Sequence, residues 1–209
     1  MVQSEQKVKK GNPLLKALGI SAVIIVLCGL VYPLLMTGIG QLVFPWQANG
    51  SMVMVDGKVV GSELIGQDFT DPRFFQGRVS AVGYNTYPDT QTAEEKGVSS
   101  GSANYAPSNP ALLDRVKKDL DMFLAAHPGT KMEDIPTDLL TSSGSGLDPD
   151  ISVQAAQIQI PAISKASGIP ESELQSIVEK CTIKRTLGFL GNERVNVFKA
   201  NIMILQRLG

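Results

Sequence analysis

Residues 17–40 read ALGISAVIIVLCGLVYPLLMTGIG, a run without one charged side chain. A bilayer core of about 30 Å takes about 20 apolar residues in a helix, because each residue rises about 1.5 Å and no backbone group can go unpaired in hydrocarbon. The run meets that requirement, and the charges around it set a direction. Lys7, Lys9, Lys10 and Lys16 precede it, whereas the next charge after it is Asp56. Positive flanks stay on the cytoplasmic side. The expected layout is a cytoplasmic segment 1–16, a transmembrane helix 17–40 and an extracytoplasmic domain 41–209. Phe44-Pro45-Trp46 falls at the outer interface, where an indole keeps its ring in apolar surroundings and its N–H wet. A secretory signal peptide shares the lysine-then-apolar order. This run outlasts the usual signal core, and no small-x-small cleavage pattern precedes Trp46, so a retained anchor is expected.

Within the span, Ala22, Val26, Gly29 and Pro33 share one helical face. Small residues there let a partner helix approach closely, although glycine is also simply common in such helices. Pro33 lacks the N–H that would reach the carbonyl four residues earlier, so a kink or loosened turn is expected.

The rest of the chain has the length of one ordinary domain. Beyond Ala17 it carries 15 Lys and Arg against 19 Asp and Glu. This mild acidity, with no basic stripe or aromatic-basic interleaving, excludes a nucleic-acid surface. Cys28 lies in the span and Cys181 near a helix end, so they form no disulfide framework and read as small apolar filler.

Two short extended runs, Met52-Val53-Met54-Val55 and Lys58-Val59-Val60, flank Asp56-Gly57, the usual signal of a hairpin. Residues 61–109 are rich in Gly, Ser, Asn and Pro, yet Phe69, Phe74, Phe75, Tyr84 and Tyr105 supply anchors that disordered chains lack. Asn109 and Pro110 open a helix with an apolar stripe at Leu112, Val116, Leu120, Phe123 and Leu124. Asp114-Lys118 and Arg115-Asp119 pair on its wet face, and His127-Pro128-Gly129 closes it. Ser152 caps a second helix, which Pro161 bends or interrupts, and Glu171 to Lys180 forms a third. Arg194-Val195-Asn196-Val197-Phe198 alternates as a strand would. The fold class is α+β: one N-terminal transmembrane helix and a small sheet with at least three helices.

No catalytic constellation and no metal-ligand cluster emerges. His127 is the single histidine, and a helix-terminating cap explains it better than a metal ligand or a general base does. Ser142-Ser143-Gly144-Ser145-Gly146 resembles a phosphate-binding glycine loop but lacks the GxxxxGK[ST] lysine and the GxSxG spacing. Asp148 and Asp150 read as turn and helix-start charges.

Several motifs together carry a resemblance that spans nearly the whole chain. They are Val31-Tyr32-Pro33-Leu34-Leu35, Phe44-Pro45-Trp46-Gln47-Ala48-Asn49-Gly50-Ser51, Gly61-Ser62-Glu63-Leu64-Ile65-Gly66-Gln67, Phe75-Gln76-Gly77-Arg78 and Ser108-Asn109-Pro110. Ser143-Gly144-Ser145-Gly146-Leu147-Asp148-Pro149, Ile151-Ser152, Ala155-Ala156, Gln159 and Arg194-Val195-Asn196-Val197 complete the set. In this order they resemble the C subunit of the Kdp high-affinity potassium-transporting P-type ATPase.

The resemblance implies a non-catalytic accessory subunit of a bacterial inner-membrane complex that imports potassium at the expense of ATP. The implied partners are a channel-like potassium-binding subunit, the ATP-hydrolysing subunit and a small single-span subunit. It also implies a catalytic chaperone that raises the ATP affinity of the hydrolysing subunit. The implied nucleotide site is Gln159, with Ser143, Gly144, Ser145 and Gly146 upstream; no tightly bound cofactor is expected, and ATP would be shared with the hydrolysing subunit. The charge flanks place the domain across the bilayer from cytoplasmic ATP, so docking over the external potassium entrance is the second mechanism. Four positions depart from the family pattern: Val79, Asp150, Ala162 and Ser167. A membrane-anchored extracytoplasmic hydrolase, with His127 as its base, or an anchored binding module stays open as the alternative.

Overall fold

The computed structural model describes residues 12–87 and 90–209. Lys7, Lys9 and Lys10, with most of the segment 1–16, lie outside the described residues. The chain divides into two compact units with the boundary between Met52 and Val53.

The first unit is built on one continuous helix, Pro13–Val43, which is long and apolar enough to cross a membrane. It starts as α1 (Pro13–Val26), where Asn12 Oδ1 accepts from Leu14 N at 2.9 Å and Pro13 occupies the first turn. It ends as α2 (Tyr32–Val43). Between them Leu27–Val31 forms a π turn, in which Tyr32 N donates to Leu27 O five residues back. This is where the effect of Pro33 falls. Because its ring removes one donor and crowds the preceding turn, the helix widens by one residue instead of breaking. The widened turn runs from Leu27 to Tyr32, with Gly29 inside it. Its extra residue turns Pro33 by roughly a quarter turn relative to Ala22 and Val26, with Gly29 part of the way. After Val43 comes one turn, α3 (Pro45–Ala48), and the Trp46 indole N–H donates to Met52 O at 3.2 Å.

The expected hairpin follows at the boundary, β1 (Met52–Val55) and β2 (Lys58–Ser62), all of it but Met52 in the second unit. Asp56 and Gly57 both have positive φ, 50° and 76°, the requirement of a two-residue turn that follows the strand twist. Among the described residues of the long connection 63–109, the helical elements are a 3₁₀ turn (Gly83–Asn85) and α4 (Thr90–Lys96). α5 (Pro110–Ala126) begins where expected, with Asn109 Oδ1 accepting from Ala111 N at 3.0 Å. Arg115 and Asp119 pair along it at 2.7 Å.

β3 (Asp150–Ile151), β4 (Thr182–Ile183) and β5 (Arg194–Asn196) form a three-stranded antiparallel sheet with β5 central. Val195 lies opposite both Ile151 and Thr182. α6 (Val153–Ser167) is capped by Ser152, whose Oγ accepts from Ala155 N at 3.0 Å, and ends on Gly168 at φ 77°. It runs through Pro161 without interruption. The carbonyl that Pro161 leaves without a donor belongs to Gln157, an exposed residue whose backbone water can serve. α7 (Glu171–Cys181) packs between α6 and α8 (Val197–Leu208).

The strand expected over residues 194–198 stops at Asn196. Its Oδ1 accepts from Lys199 N at 2.9 Å, which caps α8 and turns Val197 and Phe198 into the first helical turn. The helix then buries Val197, Phe198, Ala200, Asn201 and Ile204. The core also contains Ile160, Ile163, Leu174, Ile177, Val178 and Val195, with Phe75 brought in from the long connection.

Candidate functional site

Residues 75–80 belong to no strand and pair with backbone only through one bridge between Val79 and Ser142, so their other backbone groups need side chains to satisfy them. Two buried amides supply this. Asn201, from α8, accepts from Phe75 N at 2.8 Å and donates to Phe75 O at 2.9 Å. Gln159, from α6, does the same for the next residue: its Oε1 accepts from Gln76 N at 2.8 Å and its Nε2 donates to Gln76 O at 3.2 Å. The second Nε2 hydrogen goes to Ala155 O at 3.0 Å. Each amide imitates the edge of a neighbouring strand.

The same segment continues into the serine-glycine loop. Gly77 passes so close to Tyr84 that an added Cβ would lie 2.9 Å from its hydroxyl. That hydroxyl donates to Arg78 O at 2.7 Å, and burial, with Asp148 nearby, pushes its pKa up to about 12, so it remains a donor. Arg78 pairs with Asp148 at 3.1 Å and donates to Ser142 O at 3.2 Å. Val79 O accepts from Ser143 N at 2.9 Å, and Ser80 Oγ donates to Gly146 O at 2.7 Å.

Gln159 and residues 143–146 therefore meet one segment at points three residues apart, at most about 11 Å along it. They do not face each other across a cavity. The loop is bonded inward. Ser143 Oγ accepts from Gly146 N, Ser145 Oγ accepts from Leu147 N at 3.1 Å, and Ser145 O accepts from Gly101 N at 2.7 Å. A phosphate cradle needs N–H groups aimed outward; those of Ser143, Gly146 and Leu147 are already used.

Beside this spine lies a cleft of about 870 Å³, lined by Gln76, His127, Asp134, Pro161, Ala162 and Lys165 among others. Gln159 is not in its wall; its amide faces the core, 1% exposed. Lys165 is the single lysine or arginine of that lining and Asp134 is an acid, a poor match to a polyphosphate. Of the four departures, Ala162 lines this cleft, and Ser167 accepts from Ile169 N at 3.2 Å. Val79 contributes its carbonyl. Asp150 pairs with Arg194 at 2.7 Å, while its burial raises its pKa.

His127 ends α5. Its Nδ1 lies 2.9 Å from Phe123 O, an atom that only accepts, so Nδ1 carries the proton. The ring stacks on Phe123 with centroids 4.0 Å apart. No nucleophile among the described residues is hydrogen-bonded to it. Burial is the main influence on its pKa and lowers it, with the Phe123 carbonyl opposing. An acidifying medium thus protonates the unfolded chain first. Stability is expected to be full above about pH 6.5 and to decline as pH falls from there through the lower folded pKa. Thermal unfolding of the full chain in detergent against pH will show this slope, and His127→Phe will flatten it.

Cys181 is buried with its Sγ 3.7 Å from Met203 Sδ, and burial raises its pKa, so the filler reading fits its surroundings. Among the described residues no group of His, Cys, Asp and Glu is arranged to hold a metal ion.

The sequence profile of the family described as "KdpC: K+-transporting ATPase, c chain" matches residues 14–206. The "Potassium-transporting ATPase KdpC subunit" of Clostridioides difficile (strain 630) is 58% identical over 200 residues, which cover 92% of this chain and 96% of that one. The protein of the same name from Clostridium kluyveri is 54% identical over 192 residues, 91% of each chain. That of Caldanaerobacter subterraneus subsp. tengcongensis is 47% identical over 198 residues, 95% of this chain and 97% of the relative.

Proposed function

This chain belongs to the KdpC family of K+-transporting ATPase c chains, and from that premise we propose that it is a non-catalytic accessory subunit of a bacterial potassium-importing P-type ATPase. The helix Pro13–Val43 anchors it once in the plasma membrane, with the N-terminus inside and the unit Val53–Gly209 outside. Its partners are the channel-like potassium-binding subunit, the ATP-hydrolysing subunit and the small single-span subunit. Ala22 and Val26, with Gly29 and Pro33 turned beside them by the π turn, meet a partner within the bilayer, and potassium is the cargo of the assembly.

One observation carries the mechanism. The carbonyl and both N–H groups of Gln159 are occupied by Gln76 and Ala155, so the residue offers no free polar atom to ATP. The outer unit acts through protein contact, docking over the external potassium entrance and holding the assembly together. Any rise in ATP affinity then reaches the hydrolysing subunit through its neighbours, and ATP itself stays with that subunit.

The test is a Lys117→Cys variant, tagged at the C-terminus, in potassium-starved cells. Lys117 is exposed on α5, whereas Cys181 is buried and Cys28 lies in the span. Labelling of intact cells by an impermeant maleimide is expected, with recovery of a potassium-stimulated ATPase in the pull-down. Labelling only after lysis reverses the orientation, and recovery of the chain alone overturns the subunit reading.

A further inference from the structure

Between β4 and β5 the chain leaves the domain as an arm, and every residue from Lys184 to Arg194 is exposed. The arm carries none of the core, yet it is ordered. Thr186 and Leu190 exchange both backbone hydrogen bonds at 2.9 Å, and Gly188 N donates to Arg185 O at 3.1 Å. Leu187, Gly188 and Gly191 hold positive φ, 54°, 82° and 80°, a conformation disfavoured for leucine. The apolar side chains at this tip face solvent: Leu187 is 78% exposed, Phe189 70% and Leu190 50%.

We propose that this tip is the plug by which the chain seats in another subunit of the ATPase, entering an apolar socket rimmed by acidic side chains. The inference rests on the subunit reading above. Three features point to this occupant. The apolar surface is on the order of a few hundred Å², well short of the roughly 800 Å² per partner of a standard interface, so it does not suffice for a dimer of this chain. It matches the size of an anchoring cluster within a larger contact. The tip has neither Trp nor Tyr, the residues that mark elements lying at a bilayer surface, and its fixed backbone favours a socket of fixed shape over fluid lipid. Finally, Arg194 is engaged by Asp150, but Lys184 and Arg185 have no ion-pair partner among the described residues. With Glu193 the only acid on the arm, the base of the plug is net positive and fits an acidic rim.

The experiment places a photo-crosslinking amino acid at position 189 of the full chain in membranes of potassium-starved cells, alongside Phe189→Asp. A crosslink to one other subunit of the ATPase is expected. Phe189→Asp should lower co-purification of that subunit at least tenfold while leaving the melting temperature of the chain unchanged, since the side chain supports nothing in its own domain. Crosslinks only to lipid or to a second copy, or none while the complex is recovered whole, overturn the plug. Absence of any ATPase from the wild-type pull-down overturns the subunit reading instead.

Discussion

Gln159→Leu is expected to destabilise the chain by about 3 to 5 kcal/mol, although leucine is close to glutamine in size. The substitution leaves Gln76 N–H and C=O without their partner, and each buried unsatisfied group costs about 1 to 3 kcal/mol. For a domain of this length, that is a fall of roughly 10 °C in melting temperature. Gln159→Glu separates donor from acceptor. A carboxylate still accepts from Gln76 N, but it faces the carbonyls of Gln76 and Ala155 with no hydrogen to give. Its pKa should rise, so this variant should gain stability as pH falls, the reverse of the His127 slope. Thermal unfolding of both variants, set beside the ATP concentration dependence of the assembled ATPase, decides between two roles. A structural amide lowers stability first, and activity falls only as the chain is lost from the complex. A large rise in KM for ATP with unchanged unfolding would return Gln159 to the nucleotide.

The features legible in the sequence are those encoded within a few residues. Asp56-Gly57 specifies its turn because both positions must take positive φ, and Asn109-Pro110 and Ser152 announce helices through their own first turns. The 17–40 run declares itself by length. Gln159 could be singled out only by family resemblance, because its partner lies 83 residues away and Asn201's lies 126 away. Bonds from a side chain to a distant backbone leave no periodicity. The long connection after Ser62 is ordered by the same kind of contact: Ser80 Oγ accepts from Val82 and Tyr84 N, and Asn85 bonds Ser99 in both directions. The overrun at Val197-Phe198 has a different cause. Two residues of alternation fit the end of a strand and the start of a helix equally, and the Asn196 cap decides between them.

The two glycines of Ser143-Gly144-Ser145-Gly146 should respond very differently to alanine, and the contrast tests what the motif is for. Gly146 holds φ 68°, and a Cβ there would sit 2.7 Å from Val82 Cγ2 and 2.8 Å from Gly101 O. A left-handed alanine costs about 1 kcal/mol or more, and displacing packed neighbours about 1 to 3 more. Gly146→Ala is therefore expected to lose about 2 to 4 kcal/mol and to loosen the junction of residues 79–82, 99–101 and 143–147. At Gly144 an added Cβ meets nothing within 4 Å and φ is not positive, so Gly144→Ala should stay within about 0.5 kcal/mol of wild type. A loop that cradled phosphate would need both glycines, since a bound anion approaches the backbone along the whole turn. Thermal unfolding of the two variants, with the ATPase activity of the assembled complex, reads the difference. Loss confined to Gly146 follows from a loop closed on its own domain. Loss of ATP affinity in stable Gly144→Ala would show that the loop opens to nucleotide in the complex.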